Sequence, residues 1–151
     1  MNSSECGALL DHSDANYQAQ DCYLKCKVSD GNTEWRNLLL FPDSYEWPGA
    51  VAVPNSNDVN NFELEWANAP VFTAAQANAL LDAGFAFLPA AYPVEVYDSA
   101  NEVYVIDHYD GYYWSSSDCS SYIFTDTKVG YFYQGDVYNT GYSLRVAISA
   151  D

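Results

Sequence analysis

Positive charge is what this chain has least of. Its only basic residues are Lys25, Lys27, Lys128, Arg36 and Arg145, against 21 Asp and Glu, which gives a formal net charge of −16. Nucleic-acid binding needs a basic footprint, and none exists here. An anionic membrane surface would repel the chain as well. The plain reading of the acidity is solubility through self-repulsion; a salt-adapted source or cationic partners are sharper ones. No apolar run approaches the length needed to span a bilayer, so direct membrane insertion is not expected. Met1-Asn2-Ser3-Ser4-Glu5 shows neither a basic nor an apolar leader segment, so no signal peptide is visible. Delivery to a cell surface or virion would need another export route or a longer N-terminus.

The usual signs of catalysis and metal binding are also scarce. There are two histidines, His12 and His108, and no GxSxG elbow, EF-hand pattern or phosphate-cradling glycine loop. His108 with Cys119 is the one nucleophile–base pair that can be written, and no orienting motif supports it; a surface contact is the better reading of His108. Carboxylate pairs for glycoside hydrolysis cannot be chosen without their separation in space. Asp107, Asp110 and the 55–61 loop offer oxygens to calcium, yet without a recognisable pattern. The four cysteines, Cys6, Cys22, Cys26 and Cys119, contain no CxxC pair. Cys22 and Cys26 pair with each other, join Cys6 and His12 at zinc, or stay plain thiols; the spacing is not that of a zinc finger, so plain thiols or one disulfide are expected over a metal site. No cofactor and no metal are expected, and the chain does not read as an enzyme.

What is present suits a folded domain. With 151 residues and 49% hydrophobic content, one domain with one core is expected. Residues 5–14 read as a short helix, with Cys6, Leu9 and Leu10 on one face. A strand is expected over 22–28, a turn at Asp30-Gly31-Asn32, a buried strand over 37–41 and an irregular loop over 46–61. The clearest helix covers 73–83: Thr73 caps it, Gln76 completes a capping box, Ala77, Leu80 and Leu81 form the apolar stripe and Gly84 stops it. A buried strand over 85–88 follows. From 95 onward the pattern is β, with alternation over 95–106 that fits a strand or a hairpin, strands at 113–116, 122–127, 129–133 and 142–148 and a turn at Asp110-Gly111. Helices first and an antiparallel meander later make an α+β domain. Trp35, Trp47, Trp66 and Trp114 are expected to anchor core or loops, and Arg145 to form a structural ion pair.

Residues 104–142 are the most informative stretch. Eleven of fourteen tyrosines lie from Tyr92 onward, and 104–142 has no Glu, Met or Arg and single copies of Lys128, Gln134 and Trp114. Tyr beside Ser, Gly and Asn is the composition of a binding surface, because Tyr gives rigid amphipathic contact area at low entropic cost.

Four segments in order carry a family resemblance: Leu38-Leu39-Leu40-Phe41-Pro42-Asp43 with Trp47-Pro48; Phe72-Thr73-Ala74-Ala75-Gln76 through Phe87-Leu88-Pro89-Ala90-Ala91; Gly111-Tyr112-Tyr113-Trp114-Ser115-Ser116-Ser117; and Asn139-Thr140-Gly141-Tyr142-Ser143-Leu144-Arg145-Val146. Together they resemble the Fibrobacter major paralogous domain group, related to the formylglycine-generating-enzyme branch of the C-type lectin fold. Cys6 stands where that group usually has Trp, and its usual preceding strands are missing. The resemblance implies a single C-type-lectin-like α+β domain over 1–151, with two helices on a small twisted antiparallel sheet and long irregular loops. The paired-cysteine site of the enzymatic relatives cannot be placed, so activity is not carried across.

The resemblance also implies that the chain is similar to variable proteins of diversity-generating retroelements, in which adenines of Asn codons are rewritten. Such rewriting excludes Lys, Gln, Glu, Met and Trp, and 104–142 obeys that filter except at Trp114, Lys128 and Gln134. The changing, ligand-contacting residues would be His108, Tyr109, Tyr112, Asp118, Cys119, Tyr122, Phe124, Asp126, Tyr131, Tyr133, Asp136, Tyr138 and Asn139. Trp114, Ser115, Ser116 and Arg145 would be fixed scaffold. The expected function is non-catalytic recognition of a protein or glycan ligand on another cell or virus. The alternatives are a surface or adhesin module that is not diversified, and an enzyme of the formylglycine-generating type.

Overall fold

The computed structural model describes residues 9–20, 23–49, 62–63, 66–114, 120–125 and 128–133. In chain order the strands are β1 (Ala19–Gln20), β2 (Tyr23–Ser29), β3 (Glu34–Leu40), β4 (Phe62–Glu63), β5 (Val71–Thr73), β6 (Ala86–Pro89), β7 (Tyr92–Asp98), β8 (Val103–Trp114), β9 (Ser120–Phe124) and β10 (Lys128–Tyr133), with helix α1 (Ala74–Asp82) between β5 and β6. They fall into two compact units, Met1–Pro54 with Leu64–Pro89 and Asn55–Glu63 with Ala90–Asp151.

In the first unit the β2–β3 hairpin is closed by Asp30, whose carboxylate accepts from the Asn32 N–H (2.8 Å) and the Thr33 N–H (2.9 Å), while Gly31 takes φ 97°. Side-chain acceptance of this kind favours a turn over continued strand. The sheet order is β1-β2-β3-β6, and β5 adds to β2 in parallel at Lys27↔Val71 to Ser29↔Thr73. Strand alternation then puts Leu24 and Cys26 of β2, Leu39 of β3, Phe72 of β5 and Phe87 of β6 in one core with Ala77 and Leu80 of α1. Leu10, Trp47 and Phe85 close that core from the connecting segments.

Helix α1 begins as its sequence demands. The Thr73 hydroxyl accepts from the Gln76 N–H (3.3 Å), and the Gln76 side chain accepts from the Thr73 N–H (2.9 Å), a reciprocal cap worth about 1 kcal/mol. It ends where Gly84 turns left-handed at φ 91°, the Gly84 N–H reaching the Leu81 carbonyl and the Phe85 N–H the Leu80 carbonyl. That cap also drops Phe85 into the core.

The second unit is a wholly antiparallel sheet, ordered β4-β10-β9-β8-β7. Gly111 pairs with Phe124, which pairs in turn with Val129. Phe124 is fully buried, and its ring occupies the space a Cβ on residue 111 would need. Tyr113 stacks beside it, with ring centroids 6.4 Å apart and planes 11° apart.

Several expectations are corrected. The molecule is mainly β, with two five-stranded sheets and a single helix with both ends described, rather than two helices on one small sheet; the C-type-lectin-like α+β fold does not hold. The physical reason is clearest at both ends of the described chain. Leu9 is helical, but Asp11 then accepts from the Ser13 N–H (2.9 Å) and hydroxyl (2.6 Å), and turns replace the expected helix up to residue 14. Asp110-Gly111 is no turn: both residues lie within twelve-residue β8, where glycine is required by the Phe124 ring rather than by a bend. Trp47 and Trp66 are buried as expected of anchors, whereas Trp35 is exposed on β3. The strand expected over 142–148 lies outside the described residues.

Cys26 is a free thiol in the first core, and burial pushes it far above its ordinary pKa, the backbone bond from Leu39 opposing only in part. Among the described residues Cys26 has no disulfide partner, and His12 Nε2 lies 2.6 Å from the Tyr45 hydroxyl; Cys6 and Cys22, considered for a disulfide or a zinc ion, lie outside the described residues. Since the thiolate is the reactive form, iodoacetamide at neutral pH is expected to leave Cys26 unmodified in peptide mass mapping until denaturant is added.

Gly111→Ala is expected to destabilise the protein by about 1–3 kcal/mol, the range for forcing atoms into a packed site. Made in a Phe124→Leu background, the same change should cost less. Urea titration of the two single variants and the double variant measures that coupling; strictly additive effects would mean that the ring does not fill the site.

Candidate ligand-binding ribbon

Beyond the point where β9 pairs with it, β8 continues with β7 alone among the described residues. Their outer halves, Glu95↔Ile106 through Asp98↔Val103, form a two-stranded ribbon. Alternation places Tyr97, Tyr104 and Ile106 on one face and Val96, Val103 and Val105 on the other. All six are 41–70% exposed. With Tyr109 they make up seven of the ten large hydrophobic residues that are exposed among the described residues. Contiguous exposed apolar surface of this kind marks an interaction site, whereas isolated exposed residues do not. On the first face the Tyr97 and Tyr104 rings lie 5.2 Å apart, a cross-strand aromatic pair that stiffens the ribbon.

The tip is fixed by its own hydrogen bonds. The Asp98 carboxylate accepts from the Ala100 N–H (2.9 Å) and the Asn101 side-chain amide (2.7 Å). Glu102 then closes the loop in the left-handed region at φ 56°, a conformation that costs about 1 kcal/mol in a residue with a Cβ.

The base of the ribbon carries a β-bulge. Val94 pairs with His108 and Glu95 with Ile106, so Asp107 is an extra residue on β8. In a regular strand, neighbours point to opposite faces; a bulge re-aims one of them. This is what brings Asp107 Oδ2 within 2.8 Å of His108 Nδ1. Asp110, two residues on and buried, lies 3.4 Å from His108 Nε2 through Oδ1. Both ring nitrogens of His108 therefore face carboxylates, an arrangement that orients the imidazole.

Among the expected contact residues, Tyr109 is exposed, His108 half-buried and Tyr112 half-buried with its ring 4.7 Å from that of Tyr92. Phe124 is corrected: it is a core residue and has no surface to offer a ligand. Tyr122 pairs with Tyr113 of β8 and Tyr131 of β10, and Tyr133 pairs with Ser120, so three of the tyrosines share two adjacent strands. Trp114 ends β8. Ser115, Ser116, Asp118, Cys119, Asp126, Asp136, Tyr138, Asn139 and Arg145 lie outside the described residues, as does the 55–61 loop considered for calcium. Among the described residues no group of three His, Cys, Asp or Glu side chains is placed to hold a metal ion, and no helix is long and apolar enough to cross a membrane.

Sequence reasoning missed Val96, Tyr97, Val103, Val105 and Ile106. The alternation over 95–106 fits a strand or a hairpin but does not say what covers its faces; the flanking Asp98, Glu102 and Asp107 were the sign of exposure in the sequence. No family model, curated protein or solved structure matches the chain.

The tip should respond to acid. The Asn101 side-chain bond, followed by the Ala100 bond, holds the Asp98 carboxyl below its ordinary pKa. A carboxyl depressed in the folded state stabilises at pH above its unfolded pKa, and that contribution is lost as the pH falls through the folded pKa. The backbone amide signals of Ala100 and Asn101 are therefore expected to shift together in an NMR titration, with a midpoint below the ordinary Asp range, and to show no such step in Asp98→Ala.

Proposed function

We propose that this protein is a non-catalytic recognition module that binds a protein or glycan ligand through the aromatic surface of its second unit, and that residues 104–142 are diversified by a retroelement. The observation that carries the recognition reading is the concentration of exposed aromatic and aliphatic side chains on β7 and β8. Tyr97, Tyr104 and Tyr109 supply the rigid aromatic contacts on which binding energy concentrates. The diversification reading rests on the amino-acid alphabet of 104–142, which departs from the products of adenine rewriting only at Trp114, Lys128 and Gln134. It entered with the family resemblance, whose fold does not hold, so the alphabet alone now supports it. A second reading, a surface or adhesin module that is not diversified, is favoured by the same exposed ribbon.

The test has two arms. Beside the gene there should be a reverse transcriptase and a near-copy of the 104–142 coding segment with AAY codons at the contact positions; with neither present, diversification is abandoned and the second reading stands. On protein and glycan arrays, alanine at Tyr109, Tyr131, Tyr133 and Tyr138 together should weaken binding tenfold or more and move Tm by less than about 4 °C. A larger fall in Tm would make them packing residues and remove the tyrosine surface from the argument.

A further inference from the structure

We infer that the outer β7–β8 ribbon is the docking element for a partner protein whose apolar surface is rimmed by Lys and Arg and which contacts both faces of the ribbon. The inference rests on the recognition reading and names its partner class. Three observations carry it.

The ribbon is apolar on both faces, Tyr97, Tyr104 and Ile106 on one and Val96, Val103 and Val105 on the other, and neither face is covered. A two-stranded ribbon is marginal in water without packing against a further element, so a partner that covers it adds stability as well as contact. The ribbon is also pre-organised: the Asp98 hydrogen bonds fix its tip and the Tyr97–Tyr104 pair ties its strands, which lowers the entropy lost on docking.

The charges select the partner. The acidic side chains around the apolar ones are Glu95, Asp98, Glu102 and Asp107, and the sequence has no Lys or Arg anywhere from 37 to 127. A second copy would bring acid against acid. Edge-to-edge pairing along β7 is further opposed by Pro93, which has no N–H to donate, and by the Glu95 charge on the edge strand. A cationic rim meets those carboxylates instead, steering encounter and excluding self-association.

The experiment uses the full chain and three synthetic hairpin peptides that share one Val/Tyr/Ile face and differ only in flanking residues: Lys/Arg, Ser or Glu. Fluorescence anisotropy should show the Lys/Arg peptide binding at least about tenfold tighter than the Glu peptide, a gap that narrows as salt rises. Val96→Thr with Val103→Thr, and separately Tyr97→Thr with Tyr104→Thr, place β-branched Thr in the strands. Each pair should weaken binding of the Lys/Arg peptide by about tenfold; the Val pair, which leaves the Tyr97–Tyr104 contact in place, should do so with circular dichroism unchanged. Equal affinity for all three peptides overturns the proposal, and so does binding that neither pair of substitutions affects. Sedimentation showing a dimer of the free chain that the Thr variants dissociate assigns the ribbon to a second copy and overturns it too. Partition into phosphatidylcholine vesicles that the Thr variants abolish assigns it to a membrane, with the same consequence. Val96, Tyr97 and Val103 lie outside 104–142, so loss of array binding in the Tyr109/Tyr131/Tyr133/Tyr138 variant with normal binding in the Thr variants sinks this inference and leaves the recognition reading standing.

Discussion

The Phe124 ring sits where residue 111 would carry a side chain, and the sheet of the second unit is organised around that contact. It spans the β8–β9 pairing at the point where twelve-residue β8 passes from β9, its partner over Gly111–Trp114, to β7, its partner over Val103–Asp110. Among the described residues, β8 from Val103 to Tyr109 is therefore held by one neighbouring strand, and its orientation is inherited from the anchored segment at Gly111 to Trp114. Glycine weakens a strand interior because it has no side chain to pack; here a ring from the adjacent strand packs in its place, which restores buried apolar area. The stacking of Tyr113 on the same ring extends the anchor by one more position along the strand.

That anchor also explains why the ribbon can expose so much apolar surface. Burying a side chain such as Val or Ile contributes about 1.5–3 kcal/mol relative to leaving it in water, and Val96, Val103, Val105 and Ile106 forgo much of that gain. The ribbon persists through what it does not need a core for: ladder hydrogen bonds, the Tyr97–Tyr104 pair and the Asp98 tip. The bulge at Asp107 divides the two regimes, with exposed apolar alternation on the outer side and buried Asp110, Gly111 and Tyr113 on the inner side.

Local chemistry was legible in the sequence wherever one residue's own hydrogen bonds decide the conformation. Thr73 with Gln76, Gly84 and the Asp30-Gly31-Asn32 turn all act within four residues, and each is found as read. The failures occur where a distant residue decides. Asp110-Gly111 carries a turn signal, but Phe124, thirteen positions on, claims the glycine for close packing. The alternation over 95–106 fits the β7–β8 pairing that is found, yet what covers a strand is a property of the whole fold. The same distinction accounts for the lectin-like motifs. The 38–43 and 72–91 segments match strand and helix elements that are present, and such strings fix elements without fixing their order: β5 joins β2 in parallel, and β3 lies between β2 and β6. Of the residues that the resemblance put forward as contacts, Tyr109 is exposed and Phe124 belongs to the core, a difference that their shared sequence context does not carry.

The acidity acquires a structural meaning in this setting. Spread over the surface, it would serve solubility alone. On the ribbon it stands beside the apolar residues that most need protection from self-association, and Glu95 lies with Pro93 on β7, the edge strand among the described residues. Charges and proline at an exposed β-edge are the standard defence against pairing with a like edge. Such a defence discriminates by sign: it opposes every copy of this chain, and it does not oppose a surface that brings Lys or Arg. A sequence that merely tolerated an exposed hairpin would relieve it by polar substitution, whereas this one keeps apolar residues on both faces and surrounds them with a single sign of charge. Exposure and acidity on β7 and β8 are then two parts of one specificity, attraction to a cationic apolar partner and repulsion of the chain's own copies.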